Sequence, residues 1–233
     1  MPDRGDVRGR MAKRARGRRI LVAGFVAVLV GLLVWVIGYS PVLSVRQVRV
    51  DGTDIVPIAD VITAAAVPMG QPLAQIDCNE VAARVTAALP GVASASVSRH
   101  WPSTLVIHVT ERVIVYQIAV GGGYDWVSKD GVVFHSSSQK QDVLVASVGI
   151  SDQTLLADVA TVVAAIPDSL MPQVQGISAS SRDSIKLALD GGRQVVWGSA
   201  EQSDLKAEVI VVLLANVPGK VYDISAPSNP AVR

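Results

Sequence analysis

From Ile20 to Tyr39 the chain reads ILVAGFVAVLVGLLVWVIGY, an apolar run of twenty residues with no charge. Wound as a helix, a run of this length crosses the roughly 30 Å hydrocarbon core of a bilayer, and each of its backbone polar groups finds a partner inside the helix. It therefore predicts a transmembrane helix at 20–39, and the rest of the chain divides by the side on which it lies. Arg4, Arg8, Arg10, Lys13, Arg14, Arg16, Arg18 and Arg19 precede the run, against only Asp3 and Asp6. An excess of Lys and Arg marks the side that stays in the cytoplasm. The expected arrangement is a basic cytoplasmic tail at 1–19, a single pass through the plasma (inner) membrane, and the bulk of the chain outside, with Trp35 and Tyr39 suited to the outer interface. The competing reading, a cleaved signal peptide, has an apolar region of about 7–15 residues that ends in a small-residue site. This run is longer, and its small residues Gly38 and Ser40 flank a bulky Tyr39.

The formal net charge of +1 conceals an asymmetry. Residues 1–19 hold 8 of the 21 basic groups and 2 of the 20 acidic ones, so the remainder carries −5. An Arg-rich arm directly before a span is explained by topology and by attraction to anionic lipid, about 1 kcal/mol per charge near the surface. No nucleic-acid partner is expected from it. The roughly 190 residues beyond the span suffice for one or two small domains with cores of their own. Cys78 stands alone, which excludes an intramolecular disulfide, and its place on the apolar side of a predicted helix suits a small hydrophobe rather than a reactive thiol. No pair of His, Cys or carboxylate residues has the spacing of a metal site, so neither metal nor cofactor is expected. His100 in a turn, His108 on the solvent face of a strand and His135 beyond a hairpin are not set beside a nucleophile and an orienting acid. An enzyme of the outer face, such as a wall hydrolase, would need that constellation.

After the membrane, Ser44–Val50 alternates as a strand, with Val48 and Val50 on one face and Gln47 and Arg49 on the other, and Asp51-Gly52 ends it. Ile58, Val61, Ile62 and Ala65 recur at the spacing of one helix face, and Pro68-Met69-Gly70 breaks that helix. Asp77 with Glu80 three residues on forms a capping box for a second helix, whose stripe is Val81, Val85 and Leu89 and whose stop is Pro90-Gly91. Val92–Arg99 and Thr104–Glu111 then flank His100-Trp101-Pro102-Ser103, a turn that cannot continue the ladder, so the two read as a hairpin. Leu105, Ile107 and Val109 are expected to face the core, and Val106, His108 and Thr110 the other side. The predicted core of this unit joins Val48, Val50, Val81, Val85, Leu105 and Ile107.

A β-α-α-β-β order just outside a membrane anchor resembles a POTRA domain, and the whole chain resembles the bacterial cell-division family FtsQ/DivIB. The phrases that carry the resemblance are Val48-Arg49-Val50-Asp51-Gly52, Leu89-Pro90-Gly91-Val92 leading into Ser98-Arg99-His100-Trp101-Pro102, Val109-Thr110-Glu111-Arg112, and Asp130-Gly131-Val132-Val133-Phe134. Their order and spacing, over nearly all of residues 20–233, matter more than any one of them. The resemblance implies a POTRA domain at 40–112 and a C-terminal β domain at 113–233.

Within 113–233, Asp130-Gly131 between Tyr124–Val127 and Val132–Phe134 marks a hairpin turn, and Gly121-Gly122-Gly123 is a loop that lacks the Lys and following helix of a phosphate cradle. Val143–Val148 reads as a short extended segment. Leu155, Val159, Val162 and Ile166 mark a helix stopped by Pro167. Ile185, Leu187 and Leu189 alternate in a strand that turns at Asp190-Gly191-Gly192 into Val195-Val196-Trp197. Leu205, Val209, Val212 and Leu213 are expected to form the buried face of a last helix, before a final strand at Val221–Ile224. The expected class is α+β: a sheet of hairpins with two helices against one face.

A last strand leaves one edge with unpaired N–H and C=O groups, a template for a partner strand, unless the chain folds back. Pro227 and Pro230 would stop ladder growth beyond Ile224, so a protected edge followed by an unstructured tail is the competing reading. The family resemblance implies partner binding on this strand by β-augmentation, with FtsB and FtsL as partners and the septal synthase pair FtsW and FtsI further along. The expected contact residues are Lys220, Val221, Tyr222, Asp223, Ile224, Ser225, Ala226 and Ser228, with Tyr222 as the aromatic anchor and Lys220 facing an acid of the partner. The segment Pro227-Ser228-Asn229-Pro230 departs from the glycine-containing tail of better-known relatives. The function implied is a non-catalytic scaffold of the division machinery. A POTRA-bearing component of polypeptide transport is the alternative, although such proteins usually repeat the module or continue into a barrel.

Overall fold

The computed structural model describes residues 21–32, 35 and 41–233. Residues 21–32 and 35 are helical and expose large apolar side chains, Leu21 at 75% and Val28 at 71%. Among the described residues no helix is long and apolar enough to cross a membrane. The basic tail at 1–19 lies outside the described residues, and so does part of the span expected at 20–39. The chain forms two compact units, each with its own sheet.

The first unit includes the stretches Pro57–Val85 and Ser94–Val109 along with residues up to Thr53. Strands β1 (Gln47–Asp51), β2 (Val92–His100) and β3 (Thr104–Glu111) form a sheet in the order β1-β3-β2, and β1 runs parallel to β3 with Val48 opposite Leu105 and Val50 opposite Ile107. Helices α1 (Ile58–Ala65) and α2 (Cys78–Ala88) complete the expected β-α-α-β-β order. Helix α1 stops where Ala66 takes a left-handed φ of 46°, and Arg84 caps the carbonyl of the buried Ala65 with two N–H donors at 3.2 and 2.9 Å. Helix α2 starts at Asp77, whose Oδ1 accepts from the N–H groups of Asn79 and Glu80 at 2.9 and 3.2 Å. Glu80, expected to reach back in a capping box, instead pairs with Arg84 one turn on at 2.6 Å. Leu105, Ile107, Val81 and Val85 are buried, with Val48 and Val50 half-buried beside them. Val106, expected on the open face with His108, is buried too. His108 itself is exposed, 3.8 Å from Asp51. Cys78 is half-buried and free.

The second unit takes in Asp54–Val56, Thr86–Ala93 and Thr110–Arg233. Its strands are β4 (Tyr116–Val120), β5 (Gly123–Val127), β6 (Val133–Ser137), β7 (Val145–Val148), β8 (Val174–Ala179), β9 (Ile185–Leu189), β10 (Gln194–Gly198), β11 (Val221–Asp223) and β12 (Ala231–Val232). They make one sheet in the order β12-β11-β10-β9-β8-β7-β4-β5-β6. This is not the expected sheet of hairpins. The pairs β4/β7, β7/β8 and β10/β11 are parallel, because helix α3 (Gln153–Ala165) crosses over between β7 and β8 and helix α4 (Ser203–Asn216) between β10 and β11. A parallel pair cannot be joined by a tight turn and needs such a crossover.

Helix α3 opens on Asp152, whose Oδ1 accepts from Thr154 and Leu155 at 2.9 and 3.1 Å. Leu155, Val159, Val162 and Ile166 are buried as the spacing predicts. Both helices contribute to one apolar cluster with Tyr116, Ile177, Leu187, Val195 and Trp197, which places them against the same face of the sheet. Arg112 binds the carbonyl of Pro90 at 2.9 Å and pairs with Asp130 in the β5–β6 turn.

Candidate partner interface

The expected contact residues sit at the β12 end of the nine-stranded sheet. Helix α4 returns the chain to lay β11 beside β10, with Gln194 opposite Val221, Val195 opposite Tyr222 and Val196 opposite Asp223. The N–H of Gln194 reaches the carbonyl of Lys220 at 2.7 Å, and the N–H of Ile224 reaches the carbonyl of Val196 at 3.0 Å. Backbone groups alternate sides along a strand, so the Lys220 carbonyl and the Ile224 N–H face inward and Val221 and Asp223 turn theirs to the opposite edge.

That edge is occupied. After Asp223 the chain reverses and returns as β12, antiparallel to β11, with Tyr222 opposite Val232 and Asp223 opposite Ala231. The expected open edge on Val221–Ile224 is therefore corrected, and the physical reason lies in the turn. Asp223 Oδ1 accepts from the N–H and Oγ of Ser225 at 3.1 and 2.7 Å, and the N–H of Asn229 reaches the carbonyl of Ala226 at 2.9 Å. Pro227, preset in φ, falls where a β-turn favours proline. Pro230 sits just before β12. The two prolines, expected to end the ladder, instead shape the reversal.

Tyr222 is not the exposed anchor the sequence suggests. It is 2% exposed, and its hydroxyl donates to the carbonyl of Val217 at 2.9 Å. Ile224 is fully buried in the same cluster. Tyr222 points to the helix-covered face because it alternates in phase with Ile224. The exposed members of the expected set are Lys220, Ser225, Ala226 and Ser228, with Val221 and Asp223 half-buried between them. Two glycines permit this packing. A side chain on Gly219 would collide with Val232 Cγ1 at 2.3 Å, and one on Gly198, at φ +77°, would meet Ser225 Cβ at 2.8 Å.

A buried polar set not foreseen in the sequence ties α4 to the end of β10. Trp197 Nε1 donates to Ser203 Oγ at 3.1 Å, Ser203 Oγ to the carbonyl of Ala200 at 2.7 Å, and Lys206 Nζ to the carbonyl of Ser199 at 2.8 Å. Lys206 is 1% exposed. Burial pushes its ammonium below the usual lysine range, with Glu201 and Asp183 partly offsetting. The face of α4 expected to be buried is corrected in part: Val209 and Leu213 pack half-buried against the core, but Leu205 and Val212 are 45% and 60% exposed, and Ser203, Lys206, Ala207 and Ile210 face inward. On the uncovered face of the sheet a groove of about 450 Å³ runs across β4, β7, β8 and β9 between Ala119, Ser147, Gln175, Ser178 and Ala188, and no titratable group lines it. Among the described residues no cluster of His, Cys, Asp or Glu could hold a metal ion.

Two family models match in order along the chain: POTRA domain, FtsQ-type, over residues 43–112, and Cell division protein FtsQ/DivIB, C-terminal, over residues 117–225. The chain belongs to the FtsQ/DivIB family of cell division proteins. Its three-stranded unit is the POTRA domain of that family, and its nine-stranded sheet contains the matched C-terminal β domain. Among relatives, the cell division protein FtsQ of Streptomyces bingchenggensis is 34% identical over 96% of this chain and 89% of its own length. FtsQ of Mycolicibacterium smegmatis is 38% identical over 94% of this chain and 66% of its own length. The major extracytoplasmic domain of DivIB from Geobacillus stearothermophilus, 17% identical, aligns with 47% of this chain and 99% of its own at a TM-score of 0.34, a likeness too distant to bear on the argument.

Proposed function

We propose that this FtsQ/DivIB member is a non-catalytic scaffold of the divisome, which holds FtsB and FtsL homologues and through them positions the FtsW/FtsI septal synthase. The observation that carries the reading is the match of both family modules, in order, along one chain. In this reading residues 1–19 lie in the cytoplasm, 20–39 anchor the chain in the plasma membrane, and the POTRA domain (40–112) and β domain (113–233) work outside at the septum. Partner strands are taken up at the β11–β12 end of the sheet, around Lys220, Val221, Asp223, Ser225, Ala226 and Ser228. Strand β12 is the terminal strand at this end of the sheet, and in augmentation backbone groups supply affinity and neighbouring side chains supply selectivity.

The test is a fluorescent fusion imaged in dividing cells during depletion of the untagged protein. Bands at midcell, with filamentation on depletion, are expected. Uniform membrane signal and normal division would replace the scaffold by the transport reading.

A further inference from the structure

Resting on the topology proposed above, we infer that the end of the POTRA domain nearest the expected span is a lipid-facing surface, on which Val42, Met69 and Trp101 enter the headgroup layer of the outer leaflet. Backbone bonds gather these three residues. The N–H of Val45 reaches the carbonyl of Gln71 and the N–H of Gly70 reaches the carbonyl of Val45, both at 2.9 Å, so the loop after α1 is pinned to the chain just before β1. The N–H groups of Arg46 and Gln47 reach the carbonyl of Ser103 at 2.9 and 3.3 Å, which brings the β2–β3 turn to the same place. Arg99 closes the set, donating through Nε to the carbonyl of Leu73 at 2.8 Å and through Nη2 to that of Ile76 at 2.6 Å. Strands β1 and β3 both start at this end, and β2 finishes there.

Val42, Met69 and Trp101 are 61%, 60% and 48% exposed. They come from three separate segments, so no single amphipathic period accounts for their meeting. The other large apolar side chains exposed within 41–112, Ile55, Ile58 and Ile62, lie on α1 and the loop before it and are not part of this face. Arg46, Arg99 and His100 are exposed around the apolar three, and Arg46 offers N–H donors suited to lipid phosphate. The two carboxylates near the start of α2 are engaged, Asp77 by the N–H groups of Asn79 and Glu80 and Glu80 by Arg84. The tether decides the occupant. Tyr39, the outer end of the expected span, and Val45 are six residues apart, at most about 22 Å when fully extended, and Pro41–Leu43 winds part of that length into a short helical turn. Lipid headgroups lie within that reach, and tryptophan favours their layer. Three side chains make a weak contact alone, but a short tether keeps its local concentration high. Held by the span and by this face, the POTRA domain keeps one orientation on the bilayer.

The experiment uses the full chain in a Cys78→Ala background, reconstituted in vesicles of phosphatidylcholine and phosphatidylglycerol and spin-labelled at one introduced cysteine at a time. Val28→Cys marks the expected span, and Met69→Cys and Trp101→Cys mark the face, each label leaving the other anchor in place. The exposed Ser94, about 20 Å back along β2 from His100, gives the aqueous reference as Ser94→Cys. Folding of each form is checked by circular dichroism. Collisions of the label with oxygen, which concentrates in lipid, are compared with collisions with a water-soluble nickel chelate. The oxygen-to-nickel ratio at Val28, Met69 and Trp101 should exceed that at Ser94 several-fold, and Trp101→Glu should lower the ratio at the Met69 label. A lipid reading at Val28 with aqueous readings at both Met69 and Trp101 overturns the lipid-facing surface and leaves the topology standing. An aqueous reading at Val28 overturns the topology and this inference with it. Labels at Met69 and Trp101 shielded from both reagents overturn lipid as the occupant in favour of a second copy of the chain.

Discussion

Glu111 aims one carboxylate at the N–H groups of Asp54, Ile55 and Val56, at 2.7–3.0 Å. Burial raises its affinity for a proton, but the three donors outweigh burial and hold the carboxyl below its usual range. The folded state therefore binds this proton less readily than the unfolded chain. The stabilisation is complete above the unfolded-state value and is lost as pH falls through the lower folded-state value. Glu111→Ala should lower stability by about 2 kcal/mol near neutrality, and chemical denaturation should show the gap between the two proteins closing in acid. The end of a strand is all that the sequence makes legible at Glu111, since its contacts lie 55 to 57 residues away and leave no local period. Asp77, whose partners are two and three residues on, was readable as a cap for the opposite reason. At Tyr222 the residue type suggested contact area at an edge, and only the phase with Ile224 reveals burial. Tyr222→Phe, which leaves the Val217 carbonyl without its donor, should cost about 1–2 kcal/mol, and Tyr222→Ala about 3–5 kcal/mol. Loss of partner binding in Tyr222→Ala accompanied by a collapse of the thermal transition would thus report the core rather than a contact.

Helix α4 shows where an element can mislead. Val209 to Leu214 is an unbroken apolar run, so several faces satisfy the helical period, and Lys206 reads as the solvated side. The sheet settles the choice through the Ser199 carbonyl, which needs a donor and receives Lys206 Nζ. Ile210→Ala should cost about 2–5 kcal/mol in thermal or denaturant unfolding, against less than about 1 kcal/mol for Leu205→Ala. Equal effects would restore the face expected from the sequence. Strand β8 escaped notice because Gly176 and a register shift between Val174 and Gly176 interrupt its alternation. Strand β12 escaped because two residues carry no period at all. By contrast β1 and β9 keep strict alternation, β3 departs from it only at the buried Val106, and α3 has one clear stripe with a cap, so these were legible. In the POTRA domain Leu105, fully buried on β3, gives a matching test: Leu105→Ala should cost about 2–5 kcal/mol and lower the melting temperature by several degrees.

For the molecule as a whole, the charge step around residues 20–39 predicts that protease added to spheroplasts digests the exterior and leaves a small membrane-bound N-terminal fragment. Full protection of residues 40–233 would reverse the proposed topology. The mixed sheet also imposes an order on folding. The meander β8-β9-β10 closes through short antiparallel connections, whereas β11 has no place to pair until α4 has crossed the sheet and packed. Contacts of greater sequence separation are the slower to form. Strand β12 follows β11, so this end of the sheet is completed only after α4 has packed. A chain caught part-way through folding has no such edge to offer; on the proposed scaffold reading, recruitment there is a proofreading step in assembly, which admits only subunits whose fold is complete.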